Sequence, residues 1–87
     1  MPESKLVVTA ENGLHAQASA KVVQALSQYD CHVSFQLGGR EVNAKSIMGV
    51  MLLAAGPGRE INARAEGHDA EQALATLEGL FARGFSD

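Results

Sequence analysis

Tryptophan is absent from this chain, tyrosine and cysteine occur once each, and seven lysines and arginines stand against ten aspartates and glutamates. Each scarcity excludes something. A net charge of −3 argues against general affinity for nucleic acid, and three phenylalanines with one tyrosine supply no platform for stacked bases. A lone Cys31 cannot form an internal disulfide, so a reduced, cytoplasmic setting is expected. No apolar run approaches membrane-spanning length, and Met1-Pro2-Glu3-Ser4 has neither the basic region nor the apolar stretch of a secretory signal, so no membrane insertion is expected. Histidines and the cysteine share no close metal-ligand spacing, and Gly56-Pro57-Gly58 lacks the Lys-Ser/Thr of a nucleotide-binding loop. Neither a metal nor another cofactor is called for.

What is present suits one small domain over residues 1–87, with 46% hydrophobic residues to build a modest core. Lys5–Thr9 reads as a β-branched strand. Ala16 to about Gln28 reads as a helix, with Ala16, Ala20, Val23 and Leu26 near one face and Gln17, Lys21, Gln24 and Gln28 on another. Cys31–Leu37 alternates, with Cys31, Val33, Phe35 and Leu37 inward. Gly38-Gly39 is a hairpin turn, and Arg40–Ala44 returns as an edge strand. Ser46 is placed to cap a helix from Ile47 to about Ala55. Glu60–Glu66 alternates again. Asp69 and Gln72 have the spacing of a capping box before a helical stripe of Ala70, Ala73, Leu74, Leu77, Leu80 and Phe81, which Gly84 ends before a frayed tail. The order β-α-β-β-α-β-α, with strands half wet and half dry, implies an α+β fold. Its two layers are an antiparallel sheet and three helices on the sheet's single dry face.

Asn12-Gly13-Leu14-His15-Ala16-Gln17-Ala18 is the chemically suggestive stretch. Asn12-Gly13 tolerates positive φ, so His15 falls where a strand has finished and a helix begins. The first N–H groups of a helix lack partners and, with the macrodipole, favour an anion while disfavouring a protonated imidazole. A neutral histidine beside such amides can accept a phosphoryl group; an isolated histidine in a loop is more often a solvated side chain with no chemistry.

Gly13-Leu14-His15-Ala16 after the first strand, and Lys45-Ser46-Ile47-Met48-Gly49-Val50-Met51 before a short helix, together resemble the histidine-containing phosphocarrier family HPr of the bacterial phosphoenolpyruvate-dependent sugar phosphotransferase system. Gly58-Arg59-Glu60-Ile61 agrees as well, and the resemblance runs the length of the chain. It implies an open-faced β-sandwich with sheet order 1-4-2-3. It also implies that His15 takes a phosphoryl group on Nδ1 from enzyme I and passes it to an enzyme IIA domain, as a stoichiometric carrier rather than an enzyme. The amides of Ala16, Gln17 and Ala18 would hold the phosphate. Leu14, Gln17, Lys21, Ile47, Met48 and Met51 would meet the partners, with the chain a monomer. Ser46 is where a serine kinase, with a phosphorylase to reverse it, acts in many relatives. Where the family usually has Arg-Pro after His-Ala, this chain has Gln17 and Ala18. Gln17 donates a hydrogen bond but carries no charge, so the phosphohistidine is expected to be less stabilised. With Lys21 the only cation on that helix's polar face, docking is expected to be more apolar and less salt-sensitive. The competing reading is an HPr-like regulatory module that docks on partners without carrying phosphoryl flux.

Overall fold

The computed structural model describes residues 2–85. Its elements are β1 (Glu3–Val7), α1 (Ala16–Leu26), β2 (His32–Leu37), β3 (Arg40–Asn43), α2 (Ile47–Leu52), β4 (Glu60–Glu66) and α3 (Ala70–Ala82). The strands form one antiparallel sheet in the order β1-β4-β2-β3. Period-two alternation decides its dry face: Leu6, Val33, Phe35, Ile61, Ala63 and Ala65 are buried. The helices cover that face, and the other is open. Phe35 meets Phe81 of α3 edge-on, with ring centroids 6.0 Å apart, which locks the two layers together.

Several boundaries move from where the sequence predicts them. β1 runs two residues earlier, because its ladder with β4 extends from Glu3↔Arg64 to Val7↔Glu60. Thr9 has left the sheet, and its hydroxyl donates to the Phe81 carbonyl at 2.7 Å. β2 begins at His32 and β3 stops at Asn43, although Ala44 is still buried and donates its N–H to Val33. α1 ends at Leu26, capped by Ser27. Its buried row is Ala18, Ser19, Val22 and Leu26, not the expected Ala16, Ala20, Val23 and Leu26; Ala16 and Ala20 are exposed. Small residues on every side of α1 leave its periodicity ambiguous, and docking on the sheet and α3 decides the rotation.

α3 buries the expected stripe in full. Its capping box does not form. Asp69 makes no side-chain cap, because its Oδ2 accepts instead from the Asp30 N–H at 2.7 Å and ties α3 to the start of β2. Nor does the chain fray directly after Gly84: Phe85 is buried against Phe81, with ring centroids 4.8 Å apart. The remainder of the expected frayed tail, Ser86 and Asp87, lies outside the described residues.

α2 is shorter than predicted, ending at Leu52 with Leu53 as its cap. Ala54 then takes φ 57°, the left-handed conformation that usually calls for glycine at a helix end. Relief of that strain outweighs the added freedom of glycine in the unfolded chain. Ala54→Gly is therefore expected to stabilise the fold by about 0.5 kcal/mol, read as a higher midpoint in urea unfolding. A lower midpoint contradicts this.

Candidate functional site

His15 lies at the seam between the two layers' loops, held by backbone on both sides. Before it, Gly13 adopts φ 70° and is buried, so close to the exit of α2 that a Cβ would stand 2.6 Å from the Ala55 carbonyl oxygen. The next amide, Leu14 N–H, donates to that same oxygen at 2.9 Å. The turn that presents His15 is thus latched to the segment after α2. After it, the His15 carbonyl accepts from Ser19 N–H at 2.8 Å, the first bond of α1. Ser19 is fully buried, and its hydroxyl turns back to the Leu14 carbonyl at 3.4 Å.

His15 is itself the N-cap of α1, in the extended conformation usual for caps. Its Nδ1 accepts from the Gln17 N–H at 3.2 Å. Accepting that bond requires a lone pair on Nδ1, which assigns the ring proton to Nε2 and leaves Nδ1 as the nucleophilic nitrogen. The N–H groups of Ala16 and Ala18 have no acceptor among the described residues, as expected for the opening turn of a helix. The ring is half-buried, so it is braced by the protein and still open to a partner.

The other residues singled out from the sequence distribute unevenly around this point. Gln17 is exposed on α1 beside the ring. Lys21 is half-buried, with its ammonium bonded to the Phe85 carbonyl at 2.6 Å, which fastens the turn after α3 to α1. Leu14 is the clear correction: at 5% exposure it belongs to the core and offers a partner almost no surface. A buried leucine is what anchors the turn from below while the latch to Ala55 holds it from above.

Ile47, Met48 and Met51 are exposed by 43%, 71% and 43%, while Val50 and Leu53 of the same segment are buried. The six apolar residues between Ile47 and Leu53 thus split into a core pair and an outward patch. Leu52, 65% exposed, extends that patch and is not among the residues that the resemblance places at the partner surface. Methionine-rich surface of this kind gives adaptable contacts. Ser46 caps α2 through its Oγ, which accepts from Gly49 N–H at 3.1 Å.

Cys31 is half-buried rather than fully inside, and burial pushes its thiol above the ordinary value despite the opposing pull of Lys45. His32 and His68 are exposed, the latter 3.9 Å from Asp69. Among the described residues no three His, Cys, Asp or Glu side chains gather as a metal site, and no helix is long and apolar enough to cross a membrane.

Comparison with known proteins finds relatives in both sequence and fold. A family model for the PTS HPr component phosphorylation site matches residues 2–83. The phosphocarrier protein HPr of Xylella fastidiosa is 48% identical over 87 residues, covering all of this chain and 98% of that protein. The crystal structure of HPr-C-His from Thermoanaerobacter tengcongensis superposes with a TM-score of 0.95 at 34% identity, covering all of this chain and 98% of the other. A crystal structure of an HPr dimer from the same organism matches with a TM-score of 0.79 at 34% identity, covering both chains completely.

Proposed function

This chain belongs to the HPr family and is a phosphocarrier of a phosphotransferase system; from that premise we propose that it carries the phosphoryl group on Nδ1 of His15, between enzyme I and enzyme IIA domains. The observation that carries the assignment is the Gln17 N–H pointing at Nδ1, with the Ala16 and Ala18 amides beside it. In the acceptor step the Nδ1 lone pair forms the P–N bond as the donor's own bond to phosphorus breaks. Nε2 keeps its proton. The Gln17 N–H, displaced from Nδ1, then turns to a phosphoryl oxygen, together with its two neighbours. The charge therefore develops where amide dipoles are already fixed, and the partner supplies the rest of the catalysis.

The partner docks in this reading on Ile47, Met48 and Met51, with Gln17 and Lys21 at the edge nearest the ring. The protein works as a cytoplasmic monomer. Ser46 caps α2; a phosphoryl group placed there by a serine kinase, and taken off by a phosphorylase, would add negative charge beside Ile47 and Met48 and oppose an acidic partner. The test is incubation with phosphoenolpyruvate and the enzyme I of the same organism: an acid-labile phosphate on His15 supports the relay, and intact enzyme I binding without it supports a docking module.

Gln17 has a measurable consequence. Its amide replaces a forked, permanently charged donor with a neutral one, a difference of about 1–2 kcal/mol in a bond to phosphate. Gln17→Arg is expected to shift the phosphoryl equilibrium with enzyme I toward the carrier by about tenfold. An unchanged equilibrium contradicts the role given to position 17.

A further inference from the structure

The polar face of α1 is nearly devoid of cations, yet the docking patch has a charged end elsewhere. A cleft of about 270 Å³ opens where α2 finishes, lined by Leu37, Arg40, Leu53, Ala54 and Arg59. Three apolar residues and two arginines thus share one lining. Arg40 is held in place, because Nη1 donates to the Leu52 carbonyl at 3.0 Å, a last-turn carbonyl that the helix cannot satisfy itself. Leu52 belongs to the exposed patch and the next residue, Leu53, lines the cleft, so the cleft adjoins the patch at the end of α2. Arg59 is exposed.

The chain's other cations have partners within the chain. Lys5 pairs with Glu60, Arg64 with Glu3, and Lys21 and Lys45 bond the carbonyls of Phe85 and Tyr29, while Arg83 is also engaged. Among the described residues Arg59 alone has no carboxylate or carbonyl partner. In a chain of net charge −3, two arginines thus face one cleft that neither Glu41 nor Glu60, their neighbours in sequence, lines.

We infer that Arg40 and Arg59 are the electrostatic end of the docking surface and receive a carboxylate from an acidic face of the phosphoryl-donating partner protein. The inference rests on the relay proposed above and adds where its partner's charge is read. Arginine suits the place: it is enriched in interfaces, binds carboxylate with a planar fork, and loses little hydration in doing so. The salt dependence of docking is then carried here rather than by α1, at the opposite end of α2 from Ser46.

Arg59 is the residue to test, since replacing Arg40 also removes the bond to Leu52. Binding of the full chain to the enzyme I of the same organism is measured by calorimetry over a salt series. Arg59→Gln is expected to weaken binding about threefold at low salt and to flatten the salt slope; Arg59→Glu is expected to weaken it about tenfold. Arg59→Lys, which keeps the charge, should retain most of the slope. Equal affinities for the wild type, R59Q and R59E at every salt concentration overturn the inference. So does a titration in which inorganic phosphate shifts the backbone resonances of Leu53 and Arg59 while R59E leaves enzyme I binding intact, since the cleft would then serve free anions. A wild-type chain that binds enzyme I but takes no phosphoryl group sinks the relay instead, a separate result seen before any variant is made.

Discussion

His15→Ala should abolish phosphoryl acceptance outright while leaving the fold standing. In the proposed relay the ring supplies the nucleophile. Its structural task is one capping bond, from the Gln17 N–H to Nδ1 at 3.2 Å. Loss of an N-cap acceptor costs about 1 kcal/mol, a fraction of the stability of a small domain. His15→Asn separates the two tasks further, because its side-chain oxygen can cap α1 but cannot form the P–N bond. Both variants should unfold within about 1 kcal/mol of the wild type in urea and both should take no phosphate from enzyme I. Residual transfer in either one would place the nucleophile elsewhere, and a collapse of the fold would mean that the ring is a structural keystone.

Gly13→Ala should damage both stability and function, through the latch rather than the chemistry. The residue holds φ 70°, which costs an alanine about 1–2 kcal/mol, and its new Cβ would stand 2.6 Å from the Ala55 carbonyl oxygen, a backbone atom that cannot swing aside. Relieving that overlap pushes the turn away from α2 and strains the neighbouring bond from Leu14 N–H to the same oxygen. The total is about 3 kcal/mol. Because His15 is two residues on, its ring moves with the turn, and a displacement of about 1 Å can cost about a hundredfold in rate. Gly38→Ala is the matched control: φ is 60° there, but the space around a new Cβ is open, so only the conformational penalty of about 1 kcal/mol applies and transfer should be untouched. Unfolding midpoints and transfer rates for the two variants check this; equal destabilisation would mean that close packing at Gly13 is unimportant.

What the sequence made legible was periodic, and what it hid was set by distant contacts. Alternation marked the dry face of β2 and β4, and the apolar spacing of α3 picked every buried residue on it. The turn before His15 was readable because Asn12-Gly13 constrains the backbone whatever surrounds it. The face of α1 was not, since alanines on several sides satisfy more than one rotation. Asp69 was read as a cap from its spacing to Gln72, but a carboxylate near an unpaired N–H across space, that of Asp30, took precedence. Lys21 looked like a surface cation until the fold brought the Phe85 carbonyl within reach. Leu14 shows the limit of resemblance: it sits in the motif, yet the side chain turns into the core. Arg40 opens β3 and Arg59 precedes β4, and only the fold brings them to one cleft.

Everything in this account depends on which atom carries the phosphate. The direct measurement is nitrogen and phosphorus NMR of the chain, labelled with ¹⁵N and incubated with phosphoenolpyruvate and enzyme I. The account predicts phosphorus coupled to Nδ1 of His15, with the backbone amide signals of Ala16, Gln17 and Ala18 moving together as they take up its oxygens. A phosphate on Nε2, on His32 or His68, or on no histidine at all would contradict it.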